Sequence, residues 1–256
     1  MSDLNRMTIN DIKLEFTRAS MAEIPALLDK HGNDSRKGVQ KLCKQGEKHL
    51  EYYYNEIERI KKINKFDRQY LAHGHICGVD EVGRGPLAGP VLACALILPE
   101  NCNILYINDS KKLSDKKREE LYNIIIDKAL SYGIGMVSPE DIDEINILRA
   151  TYQAMRLAVE DLSIKPDLIL SDGFTIPNVD IKQVPIVKGD SKSMSIGAAS
   201  IVAKVTRDRM MVAYDKVYPA YNFAQNKGYG TKEHINAIKT QGLTPIHRRS
   251  FVQNIV

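Results

Sequence analysis

From residue 72 onward, short and almost purely apolar runs alternate with longer amphipathic stretches. The runs Ile76 to Val79, Val91 to Leu98, Tyr132 to Val137, Leu168 to Ser171 and Gln183 to Val187 predict strands. Gly85-Pro86-Leu87-Ala88-Gly89 makes a turn between the first two, so these predict a hairpin. Between strands the apolar spacing becomes helical. Ser114 caps a charged helix through Leu121, Ile125 and Ala129. Ser138-Pro139-Glu140-Asp141 opens a helical region that continues from Ile145 to Leu162, with proline in the first turn, where its missing N–H does no harm. Helices are also predicted over Ser195 to Val217 and Lys232 to Gln241. This alternation implies an α/β domain whose mixed sheet opens on an antiparallel hairpin and is flanked by helices.

Residues 1–70 carry helix signals and few strand signals. Thr8 caps a short helix through Ile12 and Phe16, and Ser20 with Glu23 fits a capping box. From Val39, the positions Cys43, Leu50, Tyr53, Ile57 and Ile60 recur in steps of three and four, interrupted by Gly46, as one stripe of a long helix. Its other faces mix Lys37, Lys41, Lys44, Lys48, Arg59, Lys61, Lys62 and Lys65 with four glutamates. That pattern fits a solvated helix face or a surface lying along nucleic acid. Asn64 to Gln69 reads as a linker, dividing a helical region, 1–70, from a domain over 71–256.

Composition narrows the setting. The 256 residues are 43% hydrophobic and 27% charged, ordinary for a globular protein with a sizeable core. No run is long and apolar enough to cross a membrane, and Met1 to Arg6 lacks the apolar centre of a signal peptide. Cys43, Cys77, Cys94 and Cys102 show no zinc-type pairing and read as small core residues in a reducing, cytoplasmic setting. A net charge of +4 permits a polyanionic partner without requiring one. No exposed apolar stripe in the domain over 71–256 suggests self-association, so a monomer is expected.

The candidate chemistry lies in four carboxylates: Asp80, Glu81, Asp172 and Asp190. Each sits at or near the end of a predicted buried strand, where an acidic side chain is costly unless paired or bound to a cation. Any one of these aspartates is also what a turn opening or a helix cap uses. The four together favour a site for a divalent cation, with oxygen ligands suited to magnesium or manganese. Neighbouring strand residues point to opposite faces, so Asp80 and Glu81 require the strand to end, bend or bulge there. Gly83 and Gly85 allow a ligand close to main-chain N–H groups, and Arg84 between them offers a fork of donors to a phosphate or sugar.

Asp80-Glu81-Val82-Gly83-Arg84-Gly85-Pro86-Leu87-Ala88-Gly89-Pro90-Val91 resembles the signature of bacterial ribonuclease HII, a type 2 ribonuclease H. Further matches follow in the family's order: Asp109 to Leu113, Ser171-Asp172-Gly173, Lys188 to Ser193, Ala198 to Asp208, Asn226 to Thr231 and His247 to Phe251. The sister type, ribonuclease HIII, opens on Asp-Glu-Ser-Gly-Lys-Gly, so Arg84 favours ribonuclease HII. The resemblance spans about residues 72–251 and leaves the helical N-terminal extension without an assigned role.

The resemblance implies a ribonuclease H-like fold. It also implies an endonuclease that cuts RNA in an RNA–DNA hybrid, or the 5′ side of a ribonucleotide embedded in duplex DNA. By the same resemblance Asp80, Glu81, Asp172 and Asp190 hold Mn²⁺ or Mg²⁺. Gly83, Arg84 and Gly85 contact the ribose 2′-OH, the one handle separating RNA from DNA at a single position. Tyr229 packs against the next deoxyribose, while Ser110, Lys111 and Lys112 are candidates for phosphate contacts. Lys204, Arg207 and Asp208 share a helix face and read as ion pairing, His247-Arg248-Arg249 as a backbone contact, and His234 as structural or exposed.

Overall fold

A computed structural model describes residues 7–255; Met1 to Arg6, expected to lack signal-peptide character, lie outside the described residues. The chain divides into two compact units, one up to Lys61 and one from Lys62 onward.

In the first unit, α1 (Ile9–Arg18) opens on a full capping box between Thr8 and Asp11. The Ser20–Glu23 box forms, with the Ser20 N–H donating to Glu23 at 2.8 Å, but α2 (Ile24–His31) starts only after it. Pro25 has no N–H to give a helix interior and is accepted only in a first turn, which sets that start. The third helix, α3 (Lys37–Arg68), is continuous through Gly46, and Ile12, Val39 and Cys43 form a small core with Phe16 and Leu28. Lys37, Lys41, Lys44 and Lys48 are exposed.

The segment expected to be a linker, Asn64 to Gln69, is instead helical through Arg68. Two contacts within the second unit hold it. Asp67 accepts the Ser195 N–H at 2.9 Å, and Phe66, Tyr70 and Leu71 cover a cluster of Ile76, Leu168, Leu170, Ile186 and Ile196.

The second unit is built on five strands: β1 (Ile76–Val82), β2 (Val91–Ile97), β3 (Ser131–Val137), β4 (Leu168–Asp172) and β5 (Lys182–Ile186). Their spatial order is β3-β2-β1-β4-β5. The predicted hairpin is present: β1 pairs antiparallel with β2, which pairs antiparallel with β3, while β4 and β5 extend the sheet in parallel. Leu92, Leu96 and Ile97 of β2 are essentially inaccessible, and each such side chain stabilises the fold by roughly 1.5–3 kcal/mol.

Helix α4 (Asp115–Lys128) starts at the predicted Ser114 cap. The helix expected across Ile145 to Leu162 is broken, because Asn146 takes φ +69° and its side chain caps the N–H groups of Leu148 and Arg149. Two helices result, α5 (Pro139–Ile145) and α6 (Ile147–Glu160). Helix α6 lies on one sheet face, against β3 and β2. It comes so close that a Cβ on Gly135 would meet the Ala154 carbonyl oxygen. The opposite face carries α7 (Met194–Val217) against β1. Three shorter helices follow: α8 (Phe223–Asn226), α9 (Lys232–Gln241) and α10 (Arg249–Val252). All four cysteines are buried and unbridged.

Candidate active site

The carboxylates gather where β1, β4 and β5 end. Parallel pairing aligns Val79 with Ser171, so Asp80 and Asp172 follow side by side on adjacent strands. Asp172 in turn pairs with Ile186, the last residue of β5, and a 3₁₀ turn over Gly189–Ser191 presents Asp190 just beyond. The end, bend or bulge expected at Asp80-Glu81 does not interrupt the ladder with β2, where β1 stays paired through Val82 with Leu92. Its ladder with β4 stops at Val79, opening that edge instead.

Electrostatics links the four groups. Burial pushes the Asp80 carboxyl well above the usual carboxylate range, with repulsion from Glu81 and Asp172 adding to it and the Ser200 hydroxyl opposing it. Glu81 is raised mainly by burial, against the pull of Arg84 and with a push from Asp172. For Asp190 the causes are burial, then Asp109 and Asp172, opposed by Lys111. Asp172 is thus the group that all three feel. Asp109, an acidic neighbour of Asp190, had no assigned role in the sequence beyond its place in a motif.

The donor set suits a hard divalent cation. It is all oxygen, and Glu81 Oε2 is buried with no hydrogen-bond partner. Among the described residues no three carboxylate, imidazole or thiolate groups already form a closed ligand cluster. N–H donors occupy some of the carboxylate oxygens: the Gly189 N–H donates to Asp172 Oδ1 at 2.7 Å and the Glu81 N–H to Asp80 Oδ1 at 2.8 Å.

The Gly83-Arg84-Gly85 turn leaves β1 beside this edge. Gly83 takes φ +90°, and a Cβ there would lie 2.3 Å from Arg207 Nε, so its glycine is required by the fold itself. Gly85 faces open space: a Cβ there would meet only Tyr229 Cε1, at 3.7 Å. Arg84 reaches Glu81 at 3.4 Å and lies over the Phe174 ring at 5.0 Å. Tyr229 is 41% exposed, and its carbonyl oxygen pairs with His234 Nδ1 at 2.9 Å.

Several assignments change. Ser110 is buried, its hydroxyl 3.0 Å from that of Ser200, so it faces the interior rather than a phosphate. Lys111 is exposed near Asp190. His247 and Arg248 are buried, so they are not a nucleic-acid contact surface; Arg249 is exposed. Arg248 donates to the carbonyl oxygens of Gly83, Arg84 and Gly89 at 2.5–3.0 Å. His234 is buried too, with its Nε2 3.0 Å from His247 Nε2. The expected ion pair joins Lys204 to Asp208 at 2.7 Å, whereas Arg207 binds the carbonyl oxygens of Ala88, Pro90 and Lys227.

The five-stranded sheet and its flanking helices are those of the ribonuclease H-like nucleases. A crystal structure of ribonuclease H2 from Pyrococcus horikoshii superposes with a TM-score of 0.58 at 28% identity, covering 71% of this chain and 96% of the other. Bst-RNase HIII, solved in complex with Mn²⁺, shares the fold at 16% identity and a TM-score of 0.52, covering 72% of this chain and 69% of that one. A ribonuclease HII from Lachnoclostridium phytofermentans is 55% identical over 247 residues, 96% of this chain and 97% of the relative. The ribonuclease HII family model matches residues 77–254, and the ribonuclease HII N-terminal domain matches residues 8–71. The chain therefore belongs to the ribonuclease HII family, endonucleases that hydrolyse RNA in RNA–DNA hybrids.

Proposed function

We propose that this endonuclease also cuts on the 5′ side of single ribonucleotides embedded in duplex DNA, and that it uses Mn²⁺ or Mg²⁺ held by Asp80, Glu81, Asp172 and Asp190. The observation that carries the reading is the shared strand edge, where Asp172 is electrostatically linked to each of the other three carboxylates. Divalent cations bound there supply a nucleophilic water at neutral pH and relief of charge on the leaving 3′ oxygen. The protein's own groups do the positioning. Gly83, Arg84 and Gly85 present main-chain and guanidinium donors to the ribose 2′-OH and its flanking backbone. Tyr229 offers its half-exposed ring to the next sugar, and Lys111, rather than the buried Ser110, meets a phosphate.

The same reading makes residues 71–256 the catalytic domain and 1–70 a helical accessory region, since every assigned group lies beyond residue 70. One copy of the chain supplies all of these groups, which supports action as a monomer, and the buried free thiols support a cytoplasmic setting. The test is incubation with a duplex carrying one ribonucleotide, with and without Mg²⁺ or Mn²⁺, followed by mapping of the cut. A single cation-dependent incision 5′ to the ribonucleotide is expected. Cleavage elsewhere, or cleavage indifferent to both cations, would overturn the proposal.

A further inference from the structure

Arg207 and Arg248 are the two largest fully buried side chains among the described residues, each 0% exposed. Neither forms a salt bridge with a carboxylate among the described residues; each spends its guanidinium on three carbonyl oxygens. Burial lowers both pKa values, and Arg248, pressed further by the nearby Arg207 charge, falls to about 9. Burial outweighs the pull of Asp208 on Arg207 and of Asp143 on Arg248, so two neighbouring buried cations work against stability and their presence calls for another purpose.

Backbone geometry suggests one. Five of the six carbonyls, those of Gly83, Arg84, Ala88, Gly89 and Pro90, belong to the turn between β1 and β2. Every described peptide bond is trans, and in a trans peptide the C=O of one residue and the N–H of the next point in opposite directions. With the Gly83 and Arg84 oxygens held by Arg248, the N–H groups of Arg84 and Gly85 face away from it. Neither N–H makes a hydrogen bond among the described residues, and the space above Gly85 is open apart from Tyr229.

We propose that Arg207 and Arg248 are positioning residues: by holding the turn's carbonyl oxygens inward, they aim the Arg84 and Gly85 N–H groups at acceptors of the bound strand, the ribose 2′-oxygen and its flanking phosphate. The inference rests on the reading of Gly83-Arg84-Gly85 as the ribose contact. A lysine at either position is a point donor that cannot hold three carbonyls in a plane, and burial drives its ammonium toward the neutral form.

The measurement compares affinities, without divalent cation, for a duplex carrying one ribonucleotide and an all-DNA duplex of the same sequence. Arg248→Lys and Arg207→Lys are each compared with the wild-type full chain, all checked for folding by circular dichroism. Each variant should lose up to about tenfold in the ratio of the two affinities, the weight of one neutral hydrogen bond to the 2′-oxygen, because the phosphate contact is common to both duplexes. A purely structural role would lower the melting temperature and leave that ratio intact, and an unchanged ratio in both folded variants would overturn the inference. A wild-type ratio near one would instead remove the underlying reading of the turn. Amide hydrogen exchange on the wild-type protein covers the case in which the variants do not fold. The Arg84 and Gly85 amides should exchange fast when free and become protected by the ribonucleotide duplex, and a lack of protection would count against the proposal.

Discussion

The Gly189 N–H donates to Asp172 Oδ1 at 2.7 Å, tying the last residue of β4 to the turn that carries Asp190. Gly189 lies tight against α7, where a Cβ would sit 2.6 Å from Ile196 Cδ1. Asp172 therefore both belongs to the acidic edge and fixes the approach of the fourth carboxylate. This bond makes the proposed cation site a property of the sheet register and not of independent loops.

The turn and the tyrosine can be separated by substitution. Gly85→Val meets only the Tyr229 ring and should fold, whereas substitution at Gly83 collides with Arg207 and reports on folding alone. Gly85→Val should impair cleavage of both a single-ribonucleotide duplex and a uniform RNA–DNA hybrid, because it blocks access to the ribose. Tyr229→Ala should chiefly impair the single-ribonucleotide substrate, by about one to two decades if the contact is worth roughly 1–3 kcal/mol in the transition state. Equal, small losses on both substrates in both variants would contradict the assigned roles.

Two truncations test the end of α3. Removing residues 1–61 leaves Phe66, Asp67, Tyr70 and their partners in place, so the remainder should fold and cut at the same position. Removing 1–70 deletes the Asp67 cap on Ser195 and the apolar cover over Leu168 and Ile186. Loss of one cap and of two aromatic contacts should destabilise the shorter protein by at least about 2 kcal/mol relative to the longer. Chemical denaturation of the two reads this directly, and equal midpoints would show that the helix end is dispensable.

What was legible in the sequence was local. Thr8, Ser114 and Ser138 read as caps because each bonds an N–H three residues on. The strands, the hairpin and the acidic strand ends read from apolar runs and from what stops them. What was hidden depends on distant partners. Arg248 resembled a surface cation because its Gly83 acceptor lies 165 residues away. The linker reading of Asn64 to Gln69 failed for a similar reason, since the Asp67 partner Ser195 is 128 residues on. Asn146 breaks a helix whose apolar spacing continues across it, and only its suitability for positive φ and capping gave a local signal.

Hydrogen bonding assigns the tautomers of the buried His234–His247 pair. The Tyr229 oxygen requires a proton on His234 Nδ1, so His234 Nε2 accepts from His247 Nε2–H, and His247 Nδ1 accepts from Thr244. A second proton on either ring brings two N–H groups head to head. Burial and the neighbouring His234 lower His247 to about 4, from 6.5. Between those values the unfolded chain binds more protons, so this pair's stabilisation is present above about pH 6.5 and is lost as pH falls toward 4. The His247 shift alone corresponds to roughly 3 kcal/mol. Thermal melts of wild type and His247→Asn should differ most near neutral pH and converge on acidification, and a constant gap would contradict the assignment.

The central claim is that the four carboxylates act as one cation site for phosphodiester hydrolysis. Asp190→Asn keeps the side chain's shape and removes one ligating charge. Its cleavage of a single-ribonucleotide duplex, followed through a Mn²⁺ titration beside a binding measurement on the same duplex, tests that claim most directly. Turnover should fall by roughly three orders of magnitude or more, about 4 kcal/mol of barrier, while duplex binding largely survives. Near-normal turnover by Asp190→Asn at the wild-type Mn²⁺ requirement would contradict the account.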